Sequence, residues 1–188
     1  MTLAPVADVN TRAENPVIGA RSFGVDPARV ADHVAAWTEG VQEPGVAACV
    51  KHWPGHGDTD LDSHLALPRV DADDDLLAGR ELVPFAAAVK AGACAVMTSH
   101  LVVTAWDPDL PTTLSRTAVD RLRDDLGFGG VVVSDALDMA GASADRGIPE
   151  AAVLALVAGC DLLCLGPTTG SDEDDVALVD AVLSLIHI

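Results

Sequence analysis

The sequence predicts an α/β protein of the (β/α)8 TIM-barrel type, with about five β/α units in its 188 residues. Three observations point there. Short apolar runs alternate with stretches of helical period, which is the pattern of a parallel sheet covered on both faces. Each run closes in small or polar residues. A barrel gathers its functional side chains at that C-terminal rim from several strands, whereas an open doubly wound sheet concentrates them at one switch point. Finally, no G-x-G-x-x-G follows the first run, so no dinucleotide site is signalled.

In chain order, the first run is residues 3–9, closed by Asn10, and a helix is expected from Pro27, placed as a first-turn proline, to Gln42. The second run, 46–50, is closed by Lys51 and His52 and followed by a long polar loop to Pro68. A helix over about 73–91 leads to the third run, 93–97, closed by Ser99 and His100. A helix over about 115–126 stops at Gly127, and the fourth run, 131–133, is closed by Ser134 and Asp135. A helix over about 149–158 ends at Gly159, the fifth run is 162–165, closed by Gly166 and Pro167, and a last helix covers about 172–185. A barrel domain typically needs about 250 residues and eight units. The expectation is therefore one partial barrel domain over 1–188, short of about two units at its start and one at its end. The closing Leu185-Ile186-His187-Ile188 has no cap or turn signal.

Composition narrows the function classes. The chain is 49% apolar, as expected of a globular protein, and its formal net charge of −18 argues against nucleic acid or an anionic membrane as partner. No apolar run has the length of a membrane span, and no basic n-region opens the chain. Since the start of the domain is expected to be missing, the cytoplasm is the expected compartment, with a secreted or lipid-anchored protein as the alternative. The cysteines Cys49, Cys94, Cys160 and Cys164 form no C-x-x-C pair and read as buried free thiols.

The ionisable chemistry concentrates in the loop after the second run. Pro54, Gly55 and Gly57 break any helix and allow close backbone approach. Asp58, Asp60, Asp62 and His64 alternate, so an extended chain would project all four to one side, with His52 and His56 nearby. A solvated acidic loop is the plain alternative. Asp58-x-Asp60-x-Asp62 opens like a calcium-binding loop, but its sixth and twelfth positions, which need Gly and Glu, are Ser63 and Arg69. There is no H-E-x-x-H for zinc, and no spacing demands a metal or other cofactor. Asp135 taken alone reads as a helix N-cap, but its place at a strand end raises a functional reading.

Residues 51–68 (KHWPGHGDTDLDSHLALP) closely resemble the signature loop of glycoside hydrolase family 3, in its β-N-acetylglucosaminidase branch. Residues 3–10 (LAPVADVN), 15–24 (NPVIGARSFG) and 131–139 (VVVSDALDM) resemble that family's third strand, arginine loop and nucleophile strand in the same order. The resemblance implies that Asp135 is the catalytic nucleophile, His64 the general acid/base and Asp62 its paired carboxylate. It implies that Lys51, His52 and Arg21 hold sugar hydroxyls.

The chemistry is coherent. A carboxylate can attack an anomeric carbon, an imidazole titrating near about pH 6.5 can move a proton both ways, and a paired aspartate fixes the ring's tautomer. The resemblance implies the activity of a retaining exo-acting β-N-acetylhexosaminidase, EC 3.2.1.52, cleaving terminal β-linked N-acetylglucosamine, with muropeptides from peptidoglycan as natural substrates. Because a neutral imidazole does not repel an anion, phosphate could replace water, making an N-acetylglucosamine phosphorylase an alternative. The other rivals are a β-glucosidase of the same family, a metal-dependent hydrolase using His52, His56 and the aspartates, and an inactive fragment with exposed sheet edges. His100 is expected near the pocket or as a strand-end hydrogen-bonding residue, and Trp53 on a sugar face or packed in the loop.

Overall fold

The computed structural model describes residues 1–166 and 172–186. Three parallel strands, β1 (Cys49–Trp53), β3 (Ala95–Thr98) and β5 (Val131–Val133), form the central sheet in the order β1-β3-β5. Residues 1–9 bridge to the outer side of β1 through Thr2 with Ala48 and Val6 with Lys51, and Leu162 bridges to Val133 on β5. Five parallel positions thus follow one another in chain order without a reversal, the arrangement of consecutive barrel staves. This is part of a (β/α)8 barrel.

Two of the five expected strands are reduced to bridges, for local reasons. In the first, Pro5 has no N–H to give the ladder and joins it only through its carbonyl, which accepts from the Lys51 N–H, so the run pairs by separate contacts rather than as a full strand. In the fifth, the Ser134 hydroxyl accepts from the Cys164 N–H at 2.9 Å, taking the place of a backbone rung. A second, two-stranded sheet, β2 (Arg69–Val70) beside β4 (Val102–Val103), pairs the end of the long loop with the segment after β3.

The sheet has two apolar faces. Cys49, Ala95, Met97 and Val133 cluster on the inner face. Val50, Val96 and Val132 point the other way into the main core, where Trp53, Phe85, Leu101 and Leu122 join them. Trp53 is fully buried, stacked on Trp106, with its indole N–H donated to the Ala118 carbonyl at 2.9 Å. It is a core residue, and the sugar-stacking expectation is set aside. Burial pushes the thiols of Cys49 and Cys160 up to about 12. Cys94, expected buried, is exposed.

Helix α1 (Pro27–Gln42) has the expected bounds because Asp26 caps it, accepting from the N–H groups of Ala28 and Arg29 at 3.0 Å. The second helix departs from regularity: α2 (Asp74–Leu76), a π turn (Leu77–Glu81) and α3 (Leu82–Lys90) run on as one rod. Pro84 lies within it, and a proline ring clashes with the carbonyl four residues back, so one widened turn is the local solution. A consequence is that Glu81 is turned inward and is 1% exposed. Ser115 caps α4 (Arg116–Asp120), which also continues into a π turn (Arg121–Asp125). Helices α5 (Ala140–Ser143), α6 (Ile148–Ala158) and α7 (Asp172–Ile186) complete the chain. No described helix is long and apolar enough to cross a membrane. The expected turn at Pro167 and the closing His187-Ile188 lie outside the described residues.

Candidate active site

Strand β1 brings two consecutive side chains to the C-terminal rim. Its register against β3 breaks between Val50 and Trp53, so the strict alternation of a strand is lost there, and Lys51 and His52 both reach one cavity. They lie inside the strand rather than after it, as the sequence had been expected to place them. Asp135 enters the same cavity from just beyond β5, with its own Oδ1 accepting from the Ala136 N–H at 2.8 Å. Arg21 comes from the loop after the first stave and His64 from the long loop. The cavity, of about 190 Å³, is closed by Val17, His56, Ser63, Ala136 and Met139. Five of the six residues singled out from the sequence therefore line one space. The sixth, Asp62, stands behind His64: its Oδ1 accepts from the His64 Nδ1–H at 2.7 Å and from the His64 backbone N–H at 2.9 Å.

Those contacts fix a tautomer. Asp62 is held below the ordinary carboxylate range, chiefly by the His64 backbone N–H, so it stays an acceptor. The His64 Nδ1 is then the donor, and Nε2 is left for the cavity. Lys51 is also perturbed: burial pushes its ammonium down, the neighbouring Arg21 adds to this, and Asp135 opposes it.

The loop is not extended, and its alternating acids do not share a side. Asp58 pairs with Arg80 at 2.7 Å and with Arg12 at 3.4 Å, and Asp60 pairs with Arg12 at 3.2 Å. Both are drawn away from the cavity, and only Asp62 and His64 remain with it. Nor are the glycines a free hinge. A Cβ on Gly57 would stand 1.9 Å from the Val9 carbonyl oxygen, so the glycine lets the loop press against the first stave. Gly141, at the start of α5, allows a similar approach: its N–H donates to Ser63 O at 3.1 Å, and that of Ala140 to His64 O at 3.3 Å. Two carbonyls of the loop are thereby tied to the segment that follows Asp135.

His56 belongs to this scaffold. Its Nε2 meets the Ser63 hydroxyl at 3.1 Å and its Nδ1 the Thr59 hydroxyl at 2.7 Å, and burial pushes its pKa down, keeping it neutral. His52 is engaged at both nitrogens as well, by Asp8 and Arg21. Both nitrogens of each ring thus have a protein partner within hydrogen-bond distance. Among the described residues no three His, Cys, Asp or Glu side chains group as metal ligands.

Two residues were not singled out as functional. His100 is fully buried, with its Nε2–H donated to the Ala136 carbonyl at 2.8 Å and Nδ1 against the Thr113 hydroxyl at 2.9 Å. Burial holds it neutral. Asp8 is fully buried beside His52, and the only sequence signal for it was a charged residue inside an apolar run.

Comparison with known proteins places the chain in a family. The Glycosyl hydrolase family 3 N terminal domain matches residues 1–186. A Beta-hexosaminidase of Tolumonas auensis is 41% identical over 165 residues, 87% of this chain and 48% of the relative. Beta-hexosaminidase A of Pseudoalteromonas piscicida is 39% identical over 175 residues, 86% of this chain and 29% of the relative. The solved structure of a glycoside hydrolase family 3 beta-N-acetylglucosaminidase from a Paenibacillus species superposes with a TM-score of 0.90 at 44% identity, covering 97% of this chain and 34% of its own. The chain thus spans half or less of these relatives. With a family match over residues 1–186 and a shared fold over nearly its whole length, the chain belongs to glycosyl hydrolase family 3, within the N-terminal domain of that family.

Proposed function

We propose that the protein carrying this chain is a retaining exo-β-N-acetylglucosaminidase, and that the cavity described above holds its reacting sugar. The observation that carries this reading is the meeting of Asp135 with the Asp62–His64 pair in one space lined also by Arg21 and Lys51. The names of the relatives, hexosaminidases and an N-acetylglucosaminidase, support the same substrate class.

In the first step the Asp135 carboxylate attacks the anomeric carbon, and the glycosidic C–O bond breaks as His64 gives the leaving oxygen its Nε2 proton. The proton must come from a doubly protonated ring, and Asp62 at 2.7 Å from Nδ1 stabilises that imidazolium. In the second step the neutral Nε2 takes a proton from water, whose oxygen displaces Asp135 and regenerates the starting state. Arg21 and Lys51 are donors only, suited to sugar hydroxyls. Terminal β-linked N-acetylglucosamine on muropeptides is the proposed natural substrate, and the cytoplasm the proposed compartment.

A chromogenic β-N-acetylglucosaminide is the test substrate, with the matching β-glucoside as control. His64→Ala is expected to lose about 10²- to 10⁴-fold in kcat, the usual contribution of general acid–base catalysis, and Asp135→Ala nearly all activity. Preferred cleavage of the glucoside, or unchanged turnover in either variant, would sink the proposal.

A further inference from the structure

We propose that Asp8 is a positioning residue of this site, which directs the Arg21 guanidinium into the cavity by fixing the tautomer of His52. The inference rests on the proposed function for its kinetic part only.

The chain of contacts runs inward from the cavity. Arg21 Nη2 lies 3.2 Å from His52 Nε2, and Arg21 Nη1 donates to the Val17 carbonyl at 3.2 Å. A guanidinium can only donate, so Nε2 must present its lone pair. The proton of His52 therefore sits on Nδ1, and it points at Asp8 Oδ2, 2.8 Å away. The other oxygen of Asp8 accepts from two backbone N–H groups, His56 at 2.7 Å and His52 at 3.2 Å. Burial works to raise the Asp8 pKa, but His52 and these N–H groups outweigh it, and the carboxyl is held below its ordinary range. Asp8 is thus a fixed acceptor with no exposure to solvent.

This assigns His52 a different part from the one its family resemblance implied. Both ring nitrogens are committed, so it has no hydrogen left to give a sugar hydroxyl. What it does is hold one edge of Arg21, an exposed side chain whose other hydrogen bond goes to the Val17 carbonyl. Arg21 is one of the residues that line the cavity. Nothing in the local sequence spacing links residues 8, 21 and 52. The barrel brings them together because the first stave lies directly beside β1.

Asp8→Asn is the discriminating change, because it keeps shape and alters one hydrogen. The two backbone N–H groups hold the amide oxygen, so the amide NH2 must face His52 Nδ1. The ring is then forced to accept at Nδ1 and to carry its proton at Nε2, where it meets the donors of Arg21. The experiment is nitrogen-15 NMR of the His52 ring in the protein carrying this chain, together with kinetics on the chromogenic β-N-acetylglucosaminide. Expected in the parent protein is a protonated Nδ1 and a bare Nε2. Expected in Asp8→Asn is the opposite tautomer, with kcat/KM down by about 10- to 100-fold, the range for losing a charge-assisted hydrogen bond behind a site residue. Arg21→Ala added to Asp8→Asn should cost much less than it does alone, since both act through one group. An unchanged tautomer in Asp8→Asn, or losses that multiply, would overturn the proposal. Should Asp8→Asn fail to fold, the spectrum of the parent protein still decides: a protonated Nε2 overturns it, a bare Nε2 supports it. If the sugar is not cleaved at all, the proposed function fails, while the tautomer result stands by itself.

Discussion

Glu81 offers a quantitative test of how the π turn places charge. Its side chain is 1% exposed, its Oε1 receives the Arg80 Nε–H at 2.6 Å, and its Oε2 has no hydrogen-bond partner among the described residues. Burial pushes its carboxyl up to about 7 from an ordinary 4.5; Arg80 opposes this, and the nearby Asp58 and Asp8 add to it. Below pH 4.5 the folded and unfolded chains both hold the proton, and the group has no effect on stability. Between 4.5 and about 7 the unfolded chain has released the proton while the folded chain keeps it. The unfolded state then binds fewer protons, so stability falls as pH rises, and it levels off above about 7. The gap of about 2.5 pH units, at about 1.36 kcal/mol each, comes to about 3 kcal/mol. Glu81→Gln imitates the protonated form at every pH. Urea unfolding of parent and variant across pH 4.5 to 8 should show the variant gaining up to about 3 kcal/mol on the parent as pH rises. Parallel curves, or a parent that gains on the variant, would refute the reasoning.

Further outcomes follow from the loop. Gly57→Ala would set a Cβ 1.9 Å from the Val9 carbonyl oxygen, a backbone atom that cannot yield cheaply. We expect a loss of about 1–3 kcal/mol or more by calorimetry, together with lower activity, because the same contact seats Asp8 against the loop; an unshifted melting temperature would contradict it. Phosphate should compete with water in the second step, since neutral His64 carries no charge to repel it. Product analysis in phosphate buffer is then expected to find N-acetylglucosamine 1-phosphate, and its absence would remove the phosphorylase alternative.

Local signals carried much of this fold. The bounds of α1 were legible because Asp26 and Pro27 mark its start, and Ser115 did the same for α4. The run Val131–Val133 was a strand as read, with Asp135 beyond it. What stayed hidden depends on residues far apart in sequence. The Arg12 and Arg80 partners that pull Asp58 and Asp60 aside lie 46 and 22 residues from Asp58, and no alternation within the loop reveals them. Trp53 looks like a rim aromatic because it follows Lys51 and His52, yet the break in register turns it into the core. Pro84 was a visible warning of an irregular turn, but that the turn sends Glu81 inward is set by the packing around it. Asp8 illustrates the limit most clearly. A buried acid in an apolar run announces that something must pair with it, but only the neighbouring stave shows that the partner is His52.

The proposed reaction turns on a covalent bond between the sugar and Asp135. Mass spectrometry of the His64→Ala protein, quenched during turnover of a chromogenic β-N-acetylglucosaminide, looks for that bond directly, because removing the base slows its breakdown. The peptide containing Asp135 should be heavier by one N-acetylglucosaminyl group. The same mass on a different residue, or rapid turnover with no adduct on Asp135, would contradict the proposal.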